Sequence, residues 1–235
     1  MIDIHTHILP GVDDGAKDWD TCLKMLVQSA ECGVKAVIAT PHFRPWDKEP
    51  TKEEIYALCE EAKEKLWSEH QIEMQIYPGN EIYYSVDVMD ELKKGNALTL
   101  AGSRYILVEF KEQMSYQAMY RAVRDFRDGG YIPILAHIER YQCMHKMENV
   151  KNLKEGGALF QINAEVLRGG FWDAGTQWAK RCLRKGLIDF VASDMHNLKT
   201  RRPFAKQDLR WISKKLDPLY QSELLCENAE EIINT

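Results

Sequence analysis

Apolar strand-like runs alternate with amphipathic helix-like stretches about seven times along the 235 residues, and no compositional break divides them. The strand-like runs lie near residues 2–6, 34–40, 73–77, 105–108, 132–136, 159–163 and 188–192. Several are apolar throughout, as strands buried on both faces are. The helical patterns between them end at glycines that stop a helix, including Gly33, Gly95, Gly129, Gly156 and Gly186. Thr51-x-x-Glu54 is a capping box opening a charged helix that runs to about residue 70. Two further helical patterns, near 204–215 and 218–233, follow the last strand. Alternation of this kind predicts parallel strands joined by right-handed crossovers. Seven units in this length predict an α/β fold, a closed or nearly closed barrel more than an open sheet, forming a single domain over residues 1–235.

Composition removes several classes of function. The net charge is -5 with no long run of one sign, which argues against a nucleic-acid or anionic-lipid surface. No apolar stretch reaches the roughly 20 residues that span a bilayer, and the first residues lack the basic-then-apolar pattern of a secretory leader. Cysteines stand at 22, 32, 59, 143, 182 and 226, with no C-x-x-C pair. They read as reduced thiols of a cytoplasmic protein. Thiol phosphatases carry an arginine six residues after the nucleophile. Here that position holds Gln28, Ile38, Lys65, Asn149, Ile188 and Ile232 in turn, so no cysteine has the required partner.

The polar residues of interest share one location. His5, His7, His42, Glu81, Glu109, His137, Asp194 and His196 lie at or just beyond the C-terminal ends of strand-like runs, and Asp14 lies in the loop after the first. In a barrel that end is the catalytic face. His5 and His7 are two apart, so in a strand they point to one side. H-x-H alone is a weak signal, and a lone histidine at a strand end is more often structural. Five of the seven histidines occupy strand ends, however, and only His70 and His145 read as surface residues. Imidazole mixed with carboxylate and no thiolate suits Mn, Zn or Fe. Nine donors exceed the needs of one ion and suit two or three sharing bridging carboxylates, a geometry that clamps a phosphoryl group.

The motifs I-D-x-H-T-H, L-P-G-V-D-D-G, A-T-P-H, G-N-E, E-F, A-H-I-E-R and S-D-M-H-N-x-x-x-R occur in this order from Met1 to about Pro203. Together they resemble the PHP (polymerase and histidinol phosphatase) superfamily. More narrowly, they resemble its manganese-dependent protein-tyrosine phosphatases, encoded with bacterial capsule and exopolysaccharide genes. The resemblance implies a distorted (β/α)7 TIM-like barrel with up to three ions, manganese foremost, with Fe, Zn or Mg as other candidates. It implies His5, His7, Glu81 and Asp194 on the first ion; Glu81, Glu109 and His137 on the second; and Asp14, His42 and His196 on the third. It matches the phosphate-binding arginines to Arg140 and Arg201, with Arg202 adjacent to the latter.

The chemistry then expected is in-line attack on phosphorus by a hydroxide held between two ions. The substrate implied is a phosphotyrosine protein, the tail of a tyrosine autokinase that regulates polysaccharide synthesis. The loop Phe43-Arg44-Pro45-Trp46 departs most from the family pattern. Two other readings use the same donors: a small-molecule phosphomonoesterase such as histidinol phosphatase, and a metal-dependent amidohydrolase. The latter usually has a carboxylated lysine where this chain has Glu109. A non-catalytic metal-binding domain is a fourth, but every expected ligand type is present.

Overall fold

Every strand pairing in the computed structural model, which describes residues 1–47 and 50–235, is parallel. The strands are β1 (Ile2–Thr6), β2 (Ala36–Ala39), β3 (His42–Phe43), β4 (Gln75–Pro78), β5 (Glu81–Tyr83), β6 (Tyr105–Glu109), β7 (Ile132–Leu135), β8 (Leu159–Asn163) and β9 (Phe190–Ala192). Hydrogen bonding orders them β1-β2-β4 and β3-β5-β6-β7-β8-β9.

These short segments lie on seven tracks. Each of two tracks is broken once, at Thr40-Pro41 between β2 and β3 and at Gly79-Asn80 between β4 and β5. Pro41 has no N–H to give the ladder. Its carbonyl instead accepts from Glu81 N (3.1 Å) and Asn80 Nδ2 (3.0 Å), which carries the pairing across both breaks. At Gly79 a Cβ would press on Leu100 and Ile38 at 3.0–3.1 Å, so the kink needs glycine. The ring closes where Asp194 N donates to His5 O (3.0 Å) and His7 N donates to Met195 O (2.9 Å). The result is the closed barrel that the alternation predicts, in the distorted (β/α)7 form that the resemblance implies.

Helices form the jacket: α1 (Trp19–Glu31), α2 (Lys52–His70), α3 (Val88–Lys94), α4 (Tyr116–Asp128), α5 (Met147–Glu155), α6 (Ala174–Arg184), α7 (Lys206–Lys215), α8 (Pro218–Ser222) and α9 (Asn228–Ile233). Their starts follow local chemistry. Asp18, Ser115 and Asp173 accept backbone N–H groups at the N-caps of α1, α4 and α6, and Thr51 with Glu54 forms the capping box of α2.

Two apolar cores result. The larger lies between sheet and helices. The smaller fills the barrel floor with Ile2, Ile4, Ala36, Ile38, Leu107, Ile134, Ala136, Phe190 and Ala192, joined by Ala229 and Ile232 of α9. The C-terminal stretch carries no motif, yet it is part of the core: Ile232 is 1% exposed and α9 plugs the floor. Burial of one such side chain is worth roughly 1.5–3 kcal/mol.

Candidate metal centre at the barrel mouth

Above the apolar floor the barrel interior turns polar, and strand alternation explains most of the change. Side chains two apart share a face. Inward Leu107 is therefore followed by inward Glu109, and inward Leu159 by Gln161 and Asn163. Donors on two strands need a departure from alternation. In β1, Ile2 and Ile4 face the floor, yet His5 and His7 also face inward. The register between β1 and β2 slips between Asp3 and Thr6, an irregularity that exchanges the two faces. In β7, Ile134 and Ala136 face inward and His137 would face out. His137 instead takes φ +32°, in the left-handed region, which swings its ring inside. Asp194 has φ +53°. Non-glycine residues held there cost of order 1–3 kcal/mol and cluster at functional sites.

All nine donors named from the sequence come together at this mouth. His5 Nε2 lies 3.3 Å from Glu81 Oε2 and 3.3 Å from Asp194 Oδ1. His7 Nε2 is 3.2 Å from Glu81 Oε2. His137 Nε2 is 2.9 Å from Glu81 Oε1 and 3.6 Å from Glu109 Oε1. His42 reaches Glu81 through Nδ1 (3.0 Å) and Asp14 through Nε2 (3.1 Å), and His196 Nε2 lies 3.4 Å from Asp14 Oδ1. The cluster contains four overlapping groups able to hold an ion: His7, Asp14, His42 and His196; His5, His7 and Glu81; His5, His137 and Asp194; and His42, Glu81 and Glu109. His70 and His145 are exposed and stand apart from it.

The donor set fits metal ions on three observations. Glu81 Oε2, His42 Nδ1 and His196 Nε2 are buried and make no well-aligned hydrogen bond, although each has an oppositely charged group within 3.0–3.4 Å. The Nε2 atoms of His5 and His7 face each other at 3.2 Å. Donors bound about 2.1 Å from one ion sit roughly 3.0–3.4 Å apart, the spacing seen here. No cysteine joins the cluster; burial pushes the thiols of Cys22, Cys59 and Cys182 up to about 12.

Electrostatics point the same way. Burial opposes ionisation of Glu81 and Asp194, yet the surrounding imidazoles hold both carboxyls well below the usual range. Burial opposes protonation of His7 and His42. Hydrogen bonds to Asp13 and Glu81 nevertheless raise His7 to about 9, and bonds to Asp14 and Glu81 raise His42 to about 10. Burial and Arg140 push His137 down to about 4. The buried carboxylates thus favour protons on His5, His7 and His42, while His137 and His196 are pushed toward the neutral form.

Two guanidinium groups close the open side. Arg140 Nη2 donates to Asp194 Oδ2 (2.9 Å), and Arg201 Nη2 donates to Asp194 Oδ1 (2.7 Å). A tight turn folds Arg201 back, its carbonyl accepting from His196 N and Asn197 N. Arg202 points elsewhere, to Asp208, which Arg168 also grips.

A supporting layer lies outside what sequence reasoning named. Asp13 Oδ2 accepts from His7 Nδ1 (2.7 Å) and from His42 N (3.2 Å), and Asp13 Oδ1 accepts from Gly15 N (2.8 Å). Gln161 Oε1 accepts from His137 N (2.7 Å) and lies 3.2 Å from His5 Nδ1. Asn163 Nδ2 donates to Asp194 Oδ2 (2.7 Å). Such partners fix the tautomer and aim of a ligating ring. Gln161 and Asn163 repeat the i, i+2 spacing of His5 and His7 at a strand end, a signal available in the sequence.

Comparison with known proteins follows this geometry. The chain matches the family described as capsular polysaccharide synthesis, CpsB/CapC, over residues 1–234. It is 34% identical to the tyrosine-protein phosphatase CpsB of Streptococcus pneumoniae, covering 99% of this chain and 98% of that one. It is 34% identical to the tyrosine-protein phosphatase YwqE of Bacillus subtilis, over 99% and 91%. A solved structure from crystallographic work on B. subtilis YwqE and S. pneumoniae CpsB, described there as unique metal-dependent tyrosine phosphatases, superposes with a TM-score of 0.90. It has 32% identity and covers 100% of this chain and 94% of that chain. An organophosphorus hydrolase from Deinococcus radiodurans shares the fold alone, with a TM-score of 0.62 at 11% identity over 99% and 92%.

Proposed function

The chain belongs to the CpsB/CapC family of capsular polysaccharide synthesis, and from that footing we propose that it is a metal-dependent protein-tyrosine phosphatase with manganese as its ion. One observation carries the reading: Arg140 and Arg201 converge on Asp194 at the open rim of a buried imidazole–carboxylate cluster. Fixed cations beside a multi-ion donor set suit a phosphoryl group, whose oxygens need both.

His5, His7, Glu81 and Asp194 would hold one ion. Glu81, Glu109 and His137 would hold a second, and Asp14, His42 and His196 a third. When bound, the ions supply Lewis acidity toward the phosphoryl oxygens and the acidified water that hydrolysis at neutral pH requires. Glu81 is suited to bridging, since its two oxygens face different donor groups. Arg140 and Arg201 bind the non-bridging oxygens by paired hydrogen bonds and stabilise the charge that spreads over them. Asp194 aims both guanidinium groups. The apolar floor keeps water from entering beneath the site. A tyrosyl leaving group, with a phenol pKa of about 10, departs with less protonation than an alkyl alcohol, so the chain needs no dedicated acid.

The substrate in this reading is a phosphotyrosine protein, the tail of a tyrosine autokinase governing capsule or exopolysaccharide synthesis. The site of action is the cytoplasm, where the six free cysteines stay reduced. No described helix is long and apolar enough to cross a membrane. The catalytic unit is one domain spanning residues 1–235.

The test is a side-by-side rate comparison on a phosphotyrosine peptide and histidinol phosphate, with manganese and with chelator. The expected result is manganese-dependent hydrolysis favouring the peptide and abolished by chelation. Manganese-dependent hydrolysis of histidinol phosphate alone refutes the reading.

A further inference from the structure

The alternation that turns His42 and Glu81 inward also turns the next residues of their face inward, one step nearer solvent. Between them, Phe43 and Ile82 pack outward into the jacket core. Arg44 and Tyr83 therefore stand above His42 and Glu81 on the barrel's inner face. Tyr83 is the register partner of Glu109, and Glu109 and Arg44 are the charges acting on its phenol. Trp46 packs edge-on against Tyr83, with ring centroids 5.5 Å apart and planes at 89°. The indole is 59% exposed, and nothing in the phosphate chemistry above requires it.

The position of this pair matters. Arg140 and Arg201 gather at Asp194, beyond β9. Tyr83 stands on the β4/β5 track, across the ring. Side chains two apart on a strand are separated by about 6.7 Å, close to the depth of a benzene ring standing on its ester oxygen. For a phosphate held between the donors and the two arginines, Tyr83 and Trp46 offer an aromatic wall on the opposite side of the mouth. An alkyl ester leaves that wall uncovered. Two rings already set edge to face accept a third at favourable offset or edge-on geometry.

We propose that Tyr83 and Trp46 form a subsite for the aromatic ring of phosphotyrosine, and so set the preference for aryl over alkyl phosphate esters. The inference rests on the phosphatase reading and adds to it the part of the substrate that the loop after β3 reads. The two residues act on binding and positioning, not on the reacting atoms.

Trp46→Ala, Trp46→Phe and Tyr83→Leu in the manganese-loaded protein test it, with phenylphosphonate and methylphosphonate as non-hydrolysable probes. Calorimetry reads their binding, and kcat and KM are measured on a phosphotyrosine peptide. Loss of one aromatic contact corresponds to about a threefold to tenfold weakening. Trp46→Ala and Tyr83→Leu should weaken phenylphosphonate by that factor, leave methylphosphonate within about twofold, and raise KM with kcat little changed. Trp46→Phe should restore most of the loss. A parallel weakening of both phosphonates, or no weakening of phenylphosphonate in either truncation, overturns the subsite while leaving the phosphatase reading intact. A wild-type protein that binds neither phosphonate and hydrolyses no phosphotyrosine overturns both.

Discussion

Asp13→Ala is the substitution that best separates support of the centre from membership in it. Asp13 touches no shared ion position, but its carboxylate accepts three hydrogen bonds, from His7 Nδ1 at 2.7 Å, Gly15 N at 2.8 Å and His42 N at 3.2 Å. The bond to His7 fixes the hydrogen on Nδ1 and leaves the Nε2 lone pair available to an ion. Hydrogen bonds to charged groups contribute about 1.5–3 kcal/mol. Removing the outer partner of a ligating histidine costs typically about 10–100-fold in metal affinity, or about 1.4–2.8 kcal/mol. The two estimates coincide. Titrating manganese into the chelated variant and reading phosphatase rate gives the half-saturating concentration. The expected outcome is a shift of about 10–100-fold upward, with the rate at saturation within a few-fold of wild type. Asp13→Asn keeps an acceptor without the charge and should shift less. Half-saturation within twofold of wild type for a folded Asp13→Ala protein would refute the claim that this carboxylate aims His7.

The two neighbouring arginines should separate cleanly. Arg201→Ala is expected to lower kcat/KM on a phosphotyrosine peptide by about 100–1,000-fold, and Arg202→Ala, which faces Asp208, by only a few-fold. Comparable losses would mean that phosphate reaches both. The pH dependence of the metal-free protein has a definite sign. His7 and His42 are raised from 6.5 to about 9 and about 10, so their stabilising charge is fully present below pH 6.5 and lost as pH climbs through 9 to 10. Melting temperature of the chelated protein should fall over that range, and manganese loading at pH 7.5 should release protons, seen as a buffer-dependent heat in calorimetry. Gly15→Ala places a methyl group inside contact distance of His7 O and Cβ. It should lower both melting temperature and manganese affinity, measured by thermal unfolding with and without metal. Cys143→Ser should leave the phosphotyrosine rate unchanged, and a large loss would instead point to a thiol nucleophile.

Much of this arrangement was legible in the residues. The repeated coincidence of a strand end with His, Glu or Asp is a barrel signature because only a barrel brings seven strand ends to one mouth. The positions of His5, His42, Glu81, Glu109 and Asp194 follow from it. The inward turn of His137 does not. Alternation through Ile134 and Ala136 points its ring outward, and only the left-handed backbone at His137 reverses that. Nor does the β1 irregularity between Asp3 and Thr6, since floor residues Ile2 and Ile4 and donors His5 and His7 sit in opposite phase. The breaks at Pro41 and Gly79 divide two runs that read as continuous tracks. Nothing in the sequence separates Asp13 from Asp14, two adjacent carboxylates in one loop, and only the fold points one at His7 and the other at His42. The floor-plugging role of α9 was hidden because Ala229 and Ile232 lie in a helical pattern with no partner visible in sequence.

Ring closure sets a timetable for the centre's birth. Asp3 Oδ1 accepts from Ser193 N, a bond between residues 190 positions apart, and β1 meets its second neighbour only through the segment after β9. During synthesis the first two histidines emerge early, yet the carboxylate across from them arrives after most of the chain is made, and the α9 plug later still. Contacts this far apart make slow folding steps. Early half-formed donor sets, such as His5 with His7 alone, hold an ion weakly. The complete donor set therefore exists only once the ring has closed, when Asp194 joins His5 and His7.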